Sequence, residues 1–465
     1  MKQYHIHTIG CQMNVADSIR IGSALEQTGY TFTDEIGDAD VVVVNTCSVR
    51  QRAEDSAAGK LGQLVSFKRQ NHNLVVAMTG CMVPREEAGK AALYKRFPVI
   101  DLLFDTLDPQ RLVELLPEHT EQPQVGASIK NKIGITAFVS VIYGCNYTCS
   151  YCIVPLRRGQ EQSRPVEEIV EEIKGYVRRG VREVTLLGQT VDAYGHDLPT
   201  RPDLADLLQA VNDIEGLWRI RFLTSHPKMM SYKIIKAVAD LPKVCEYFSL
   251  PIQHGDDQVL KAMKRPYTVA FYEKLADTIR KTVPNLSLST DIIVGFPGET
   301  EQQFLDTYRL LERMKFNEVH VAAYSPRPGT VSAEQIEDNV PMEVKRERLQ
   351  AVEQLQEKIA WEYSRALVGT TQEILVERME KGRWHGRTRN NKPVFFDNPP
   401  LPEYEGFDWH GKLVDVVIEK AGAWSLVGHI VGTPTITTQA QVETEACEVE
   451  SVAGKRLIPL TLAHN

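Results

Sequence analysis

No stretch of the 465 residues comes near the ~20 consecutive apolar positions that a membrane-spanning helix requires. The opening "MKQYHIHTIG" also lacks the basic start and apolar core of a secretory signal, so a cytoplasmic location and no membrane partner are expected. Cysteine is scarce. Eight in a chain of this length cannot build a disulfide scaffold, and in a reducing compartment metal binding or catalysis is the better use for them. An excess of positive charge is missing too, and the net charge of -8 argues against indiscriminate nucleic-acid binding, leaving only room for a local basic patch. What is present is ordinary globular material, 43% hydrophobic and long enough for roughly three domains.

Over residues 1–116 the apolar runs "YHIHTIG", "DVVVVNTC" and "NLVVAMTGC" alternate with amphipathic stretches at 17–28, 52–69 and 85–96. That alternation predicts parallel β-α units in an N-terminal doubly wound parallel-sheet domain, within an overall α/β class. Residues 117–132 are polar and aperiodic and read as a linker. A second alternating block, 133–368, opens with "IGITAFVSVIYGC" and adds strand candidates near 181–187, 217–223, 245–251, 285–294 and 317–324. Six β-α units fall short of the eight that close a full barrel, so a central partial (βα)6 TIM-like barrel is expected. Its clearest helix, 165–179, begins with proline and acids and ends with arginines and glycine, as the helix dipole and caps favour. The run 341–367 reads as a long, highly charged helix. From 369 to 435, short strands with turn signals predict a C-terminal small β-barrel, followed by a tail, 436–465, with no evident role.

The stretch "YGCNYTCSYC" places Cys145, Cys149 and Cys152 in a CxxxCxxC pattern directly after a strand. Structural zinc takes four protein ligands, usually as two CxxC-like pairs, and the next cysteine after Cys152 is the distant Cys245. Cuboidal four-iron clusters are normally held by a cysteine at each iron, so three thiolates leave one iron open to a small molecule. Three ordinary core cysteines, or an incomplete zinc knuckle, are the plain alternatives.

This pattern resembles the radical S-adenosylmethionine (SAM) superfamily. The resemblance implies a 4Fe-4S cluster whose open iron is chelated by the amino and carboxylate groups of SAM, with Tyr151 matching the aromatic position beside the cofactor. It further implies that Gly188 and Gln189, in "TLLGQ", contact the SAM amino group and that Gly295, in "DIIVGFPGET", reaches the adenine side. Gln253, in "LPIQHGDDQVL", also ends a strand; a helix N-cap or a core role explains it as well as contact with SAM does.

Cys11, Cys47 and Cys81 each end a β-run of the first block. The carboxyl ends of strands in an open parallel sheet line one edge, where ligands sit, so these three can converge on a second three-thiolate site. Any one of them alone is better read as a small buried hydrophobe, and it is the shared strand-end context that favours a site; Cys245 and Cys447 lack it and are structural. With the central motif and the C-terminal barrel, they resemble the methylthiotransferase family over nearly the whole chain. That family implies two 4Fe-4S clusters per chain, one cleaving SAM and an auxiliary one supplying sulfur. It also implies a reducing electron donor such as a flavodoxin or ferredoxin, and a monomer.

Residues 378–392, "RMEKGRWHGRTRNNK", hold six cations against the single acid Glu380, with Trp384 embedded. Cations meet phosphates and aromatic faces stack on bases, so Arg383, Trp384, Arg387 and Arg389 are candidate RNA contacts, with a solvated charged hairpin as the plain alternative. The stretch resembles the TRAM RNA-binding module, and "GRTRNNKPVFF" and "YCIVPLRRGQEQSRP" resemble the tRNA-modifying branch called MiaB. The implied reaction is methylthiolation at C2 of N6-dimethylallyladenosine, position 37 in the anticodon stem-loop of tRNA. Two alternatives remain open: the same chemistry on a ribosomal-protein aspartate or a threonylcarbamoyladenosine tRNA, and a non-catalytic RNA-binding protein with structural zinc.

Overall fold

A computed structural model describes residues 2–48, 51–116, 134–399 and 406–435. The linker expected over 117–132, the tail 436–465 and Cys447 lie outside the described residues. The chain divides into two compact units, Met1–Ser364 with Arg389–Asn391, and Arg365–Thr388 with Lys392–Asn465.

The larger unit begins with five parallel strands, β1 (Gln3–Thr8), β2 (Thr31–Phe32), β3 (Val41–Thr46), β4 (Val75–Gly80) and β5 (Leu102–Leu103), in the order β2-β1-β3-β4-β5. Helices α1 (Gln12–Gln27), α2 (Gln51–Gln70) and α3 (Glu87–Arg96) lie between them, and α4 (Pro109–Leu115) follows β5. Strand β3, VVVVNT, is buried throughout because the sheet is covered on both faces. Side chains alternate across a strand, so Val41 and Val43 pack with Ile21, Leu25 and Leu112, while Val42 and Val44 pack with Leu61, Leu64 and Leu93. This is the doubly wound sheet expected from the sequence. Its order reverses between β1 and β3, and the crevice beyond the carboxyl ends of those strands is where such sheets bind ligands.

The central part carries β6 (Thr136–Ser140), β7 (Ile142–Tyr143), β8 (Gln162–Ser163), β9 (Glu183–Leu187), β10 (Arg219–Phe222), β11 (Tyr247–Ser249), β12 (Ser287–Val294) and β13 (Glu318–Ala323). Strands β6, β9 and β10 form one parallel sheet and β11, β12 and β13 another, with a lone parallel bridge between Ile220 and Val244 joining them. Six parallel strands in sequence order, without closure, are the partial barrel. The apolar run expected as its first strand divides at Val141, and β7 pairs antiparallel with β8 instead. The helices are α5 (Val154–Arg158), α6 (Val166–Arg178), α7 (Leu204–Asn212), α8 (Tyr232–Asp240), α9 (Asp257–Ala262), α10 (Val269–Thr282), α11 (Glu301–Met314), α12 (Val331–Gln335) and α13 (Met342–Ala366). In α6 the buried residues Ile169, Ile173 and Tyr176 recur on one helical face, as a helix lying on a sheet requires.

The smaller unit contains β14 (Thr371–Glu380), β15 (Arg383–Arg387), β16 (Pro393–Phe396), β17 (Leu413–Ala421) and β18 (Leu426–Thr435), closed into a barrel in the order β14-β15-β16-β18-β17. Its core includes Ile374, Val376, Trp384, Phe396, Trp409 and Val416.

Candidate functional site

The ends of β1, β3 and β4 lie level, since Thr8 pairs with Asn45, Asn45 with Thr79 and Thr46 with Gly80. Cys47 and Cys81 are the next residues after β3 and β4, and Cys11 is the N-cap of α1 just beyond β1. The Cys81 amide donates to the carbonyl of Thr46 at 2.8 Å, and the Cys47 and Cys81 side chains are hydrogen-bonded to each other. A Cβ on Gly10 would come within 2.7 Å of the Cys47 Cβ, which puts the turn before Cys11 directly against Cys47. The sheet therefore gathers all three cysteines at its switch point. Gly80 has φ +92, and a side chain there would overlap the Thr46 carbonyl, so the residue before Cys81 must be glycine.

Two buried amides, not foreseen from the sequence, fasten this corner. Asn14 Nδ2 donates to Asn45 Oδ1 at 2.9 Å and to the Thr46 carbonyl at 3.0 Å, and Asn45 Nδ2 donates to the Asn14 carbonyl at 2.8 Å. Asn14 Oδ1 lies 3.5 Å from Cys11 Sγ. The available signal was an asparagine interrupting a valine run two residues before a cysteine. Arg158 was also missed. Its Nε donates to Cys81 Sγ at 3.2 Å, and its Nη1 stands 3.7 Å from the buried carboxyl of Asp17. The hydrogen bond with Cys47, aided by the Arg158 guanidinium, pulls the Cys81 thiol down to about 5 against the opposing effect of burial. Burial pushes Asp17 up to about 7, with Arg158 drawing it the other way.

The second group lies on the loop between β7 and α5. Gly144, at φ +70, turns the chain into Cys145; a side chain there would overlap the Gln160 carbonyl. The Cys145 amide donates to Gly159 O and the Cys152 amide to Cys149 O, both at 3.0 Å. Ser150 fixes the middle of the loop through Oγ to Ala262 O at 2.8 Å and its amide to Met263 O at 3.0 Å. Cys145 Sγ lies 3.4 Å from Thr190 Oγ1, and Arg265 Nη1 lies 3.5 Å from Cys149 Sγ. Burial raises Cys145 and pushes Cys152 up to about 12, so a metal taken up by these thiols would displace protons.

The other residues expected around SAM all follow strand ends on the same side of the partial barrel. Tyr151 packs against the Val259, Met263, Phe296 and Tyr324 cluster. Gly188 is buried where a Cβ would overlap Ile142, while the Gln189 side chain turns to Met13 Sδ at 2.7 Å. Gln253 has φ +77 and bridges to β12, donating to Asp291 O and accepting from the Ile293 amide, each at 2.9 Å. It is not a helix N-cap; Asp256 caps α9. The Gly295 amide donates to the Glu299 carboxylate, and the stem of Lys345 occupies the space a side chain on Gly295 would need.

Three thiols per group suit iron-sulfur ligation in type and number. No three His, Cys, Asp or Glu side chains among the described residues close on one point as ligands of a single ion do, but each cysteine of a four-iron cluster holds a different iron. Cys245, 1% exposed, stands apart from both groups among Arg219, Arg221 and Glu183.

The basic stretch behaves differently from its sequence. Trp384 is 7% exposed in the barrel core and donates from Nε1 to Asn398 Oδ1 at 2.7 Å, so it has no face to offer a base. Arg383 pairs with Asp397 at 3.1 Å and Arg387 with Glu377. Arg389 belongs to the larger unit, where it pairs with Glu246 at 2.8 Å. Two of the acids that neutralise these cations, Glu377 and Asp397, lie just outside the stretch 378–392, and the third, Glu246, comes from a distant part of the chain. Among the described residues of the smaller unit the exposed aromatic is instead Trp424, 53% exposed, beside Ala423, whose carbonyl accepts from Lys392 Nζ at 2.6 Å.

Comparison with known proteins assigns the family. Residues 139–311 match the Radical SAM superfamily, 3–105 match the Uncharacterized protein family UPF0004 and 365–431 match the TRAM domain. The chain is 45% identical to the tRNA-2-methylthio-N(6)-dimethylallyladenosine synthase of Herpetosiphon aurantiacus, over 92% of this chain and 98% of that protein. It is 46% identical to the synthase of the same name from Chloroflexus aurantiacus, over 92% of this chain and 91% of that one. Among solved structures, the radical S-adenosylmethionine methyltransferase TsrM of Kitasatospora setae shares the fold. The TM-score is 0.50 at 14% identity, covering 72% of this chain and 75% of that one. Among the described residues no helix is long and apolar enough to cross a membrane.

Proposed function

Since the chain belongs to the tRNA-2-methylthio-N(6)-dimethylallyladenosine synthase (MiaB) family of radical SAM methylthiotransferases, we propose that it inserts a methylthio group at C2 of N6-dimethylallyladenosine 37 of tRNA, using two separate three-cysteine sites. The enzyme uses SAM and a 4Fe-4S cluster and acts on tRNA. In the proposal Cys145, Cys149 and Cys152 hold the SAM-cleaving cluster and Cys11, Cys47 and Cys81 hold a second, sulfur-supplying cluster. The observation that carries the two-site reading is the gathering of three thiols at the switch point of a sheet that contains no CxxxCxxC motif.

When bound, the clusters and SAM supply the one-electron cleavage and the sulfur, and the protein supplies aim and exclusion of water. Gly144 and Ser150 hold the CxxxCxxC loop in shape, and Arg265 places a fixed cation against Cys149. Tyr151 backs that loop, and the strand-end residues Gly188, Gln189, Gln253 and Gly295 border the proposed SAM site. Residues 1–116 carry the second cluster, 133–368 the radical chemistry and 369–435 the RNA contact. For that contact the reading relies on Trp424 and on Arg383, whose pair with Asp397 lies in the solvent, whereas Arg387 and Arg389 are held in half-buried pairs with Glu377 and Glu246. The proposal further includes a cytoplasmic monomer drawing electrons from a flavodoxin or ferredoxin.

About eight iron and eight acid-labile sulfide per chain are expected of two four-iron clusters. About four of each would remove the second cluster. Mass spectrometry of tRNA from a deletion strain should show N6-dimethylallyladenosine without its methylthio group, restored by the wild-type gene. Unaltered tRNA with a changed ribosomal-protein aspartate would overturn the substrate.

A further inference from the structure

Arg158 closes α5, which starts two residues after Cys152, and its guanidinium leaves the loop of one cysteine group to reach the other. Nε donates to Cys81 Sγ at 3.2 Å, and Nη1 lies 3.6 Å from Met13 Sδ and 3.7 Å from Asp17 Oδ2. The Arg158 and Asp17 side chains are 9% and 0% exposed. A guanidinium taken out of water is costly unless paired, and what faces it here is one carboxyl, a thiol and the Met13 thioether. The same segment is tied back to its own loop, because the carbonyl of Gly159 accepts from the Cys145 amide at 3.0 Å. One short piece of chain thus hydrogen-bonds a cysteine of each group.

We propose that Arg158 is a positioning residue of the second site: it orients Cys81 and keeps a fixed positive charge against its sulfur, and so sets the reduction potential of the cluster held there. This rests on the reading of Cys11, Cys47 and Cys81 as cluster ligands. Potentials of iron-sulfur clusters follow net charge and hydrogen bonds to sulfur, and groups behind the ligands fix ligand orientation. A cation beside a cluster favours its reduced, more negative state, so removing it makes reduction harder. A merely structural role would give a different result. Arg164, in the same stretch of chain and 7% exposed, faces Glu168 and Glu172 rather than a thiol and serves as the control.

The test is potentiometry followed by electron paramagnetic resonance on the full, anaerobically reconstituted chain without tRNA. The SAM-dependent spectrum of the other cluster is the internal reference. Arg158→Gln should move the second cluster to a more negative potential, Arg158→Lys should keep most of the potential but change the line shape, and Arg164→Gln should change neither. An unchanged potential in Arg158→Gln, or an equal shift in Arg164→Gln, overturns the proposal. Should Arg158→Gln assemble no second cluster, Arg158→Lys decides, and an unaltered line shape there overturns it. Wild-type protein with iron for one cluster only, and Cys11, Cys47 and Cys81 all open to alkylation after denaturation, would instead refute the two-cluster reading itself.

Discussion

Cys145, Cys149 and Cys152 lie within eight residues of one loop, whereas Cys11, Cys47 and Cys81 come from three strands and meet only when a parallel sheet has formed. The first group is arranged by neighbours in sequence, a glycine turn, a two-residue strand and a five-residue helix, and is then pinned from outside through Ser150. The second depends on register, on the reversal of strand order and on a pair of buried asparagines. Long-range parallel pairing carries the larger loop-closure entropy, so the second site is the one that any loosening of the fold should damage first.

The contrast can be broken most directly at the cysteines. Cys149→Ala should reduce SAM cleavage to background, read as deoxyadenosine by chromatography, whereas Cys47→Ala should abolish methylthiolated tRNA and leave SAM cleavage measurable. If both variants lose cleavage, the two groups do not act separately. Position in space rather than in sequence also separates two tryptophans of the barrel. Trp384→Ala should destabilise the smaller unit by about 3–5 kcal/mol, read by thermal or denaturant unfolding, because it empties a core position. Trp424→Ala should leave stability within about 0.5 kcal/mol. It should also weaken tRNA binding by about 1–3 kcal/mol if its exposed face stacks on a base. Equal tRNA affinity of Trp424→Ala and wild type removes Trp424 from the interface.

Smaller effects sharpen the comparison. Gly80→Ala and Gly144→Ala each force a side chain into a left-handed backbone and against a carbonyl, a strain of about 1–3 kcal/mol before any clash is relieved. Each should lower iron at its own site, and Gly80→Ala should also lower the melting temperature more, since its neighbours are strands of the sheet. Asn45→Ala should cost about 1–3 kcal/mol by stripping partners from buried groups, with iron lost from the second site. Thr190→Val, which removes one contact to Cys145, should cost about 1 kcal/mol or less and leave iron unchanged. Iron content of the two variants that differs in the opposite sense would contradict the ranking.

Much of this was legible before any coordinates. The CxxxCxxC spacing marks the loop site directly, and the alternation of apolar runs with amphipathic stretches placed Cys11, Cys47 and Cys81 at strand ends. The order β2-β1-β3-β4-β5, which brings those ends together, is not written in any single segment, since strand pairing is decided between segments. Arg158 was hidden for a related reason: nothing local says where a five-residue helix points its last side chain. Trp384 was misread because residues 378–392 were treated as a charged surface rather than as strands with an inward face. Its antiparallel partner Phe396 is buried as well, while Phe395 next to it is only half-buried. Gln253 was left between three roles, of which the helix cap is taken by Asp256.

The barrel of the smaller unit closes on itself, with β14 bonded to both β15 and β17 and β18 bonded to both β16 and β17. Among the described residues every strand therefore has a neighbour on each side over part of its length, which leaves a guest strand only short stretches, such as the far end of β18 beyond Gly428, to pair with. Most of what this unit grips is then held by side chains and by the backbone of its connecting turns. Grip can then be retuned one surface residue at a time, with the hydrogen-bonded wall untouched.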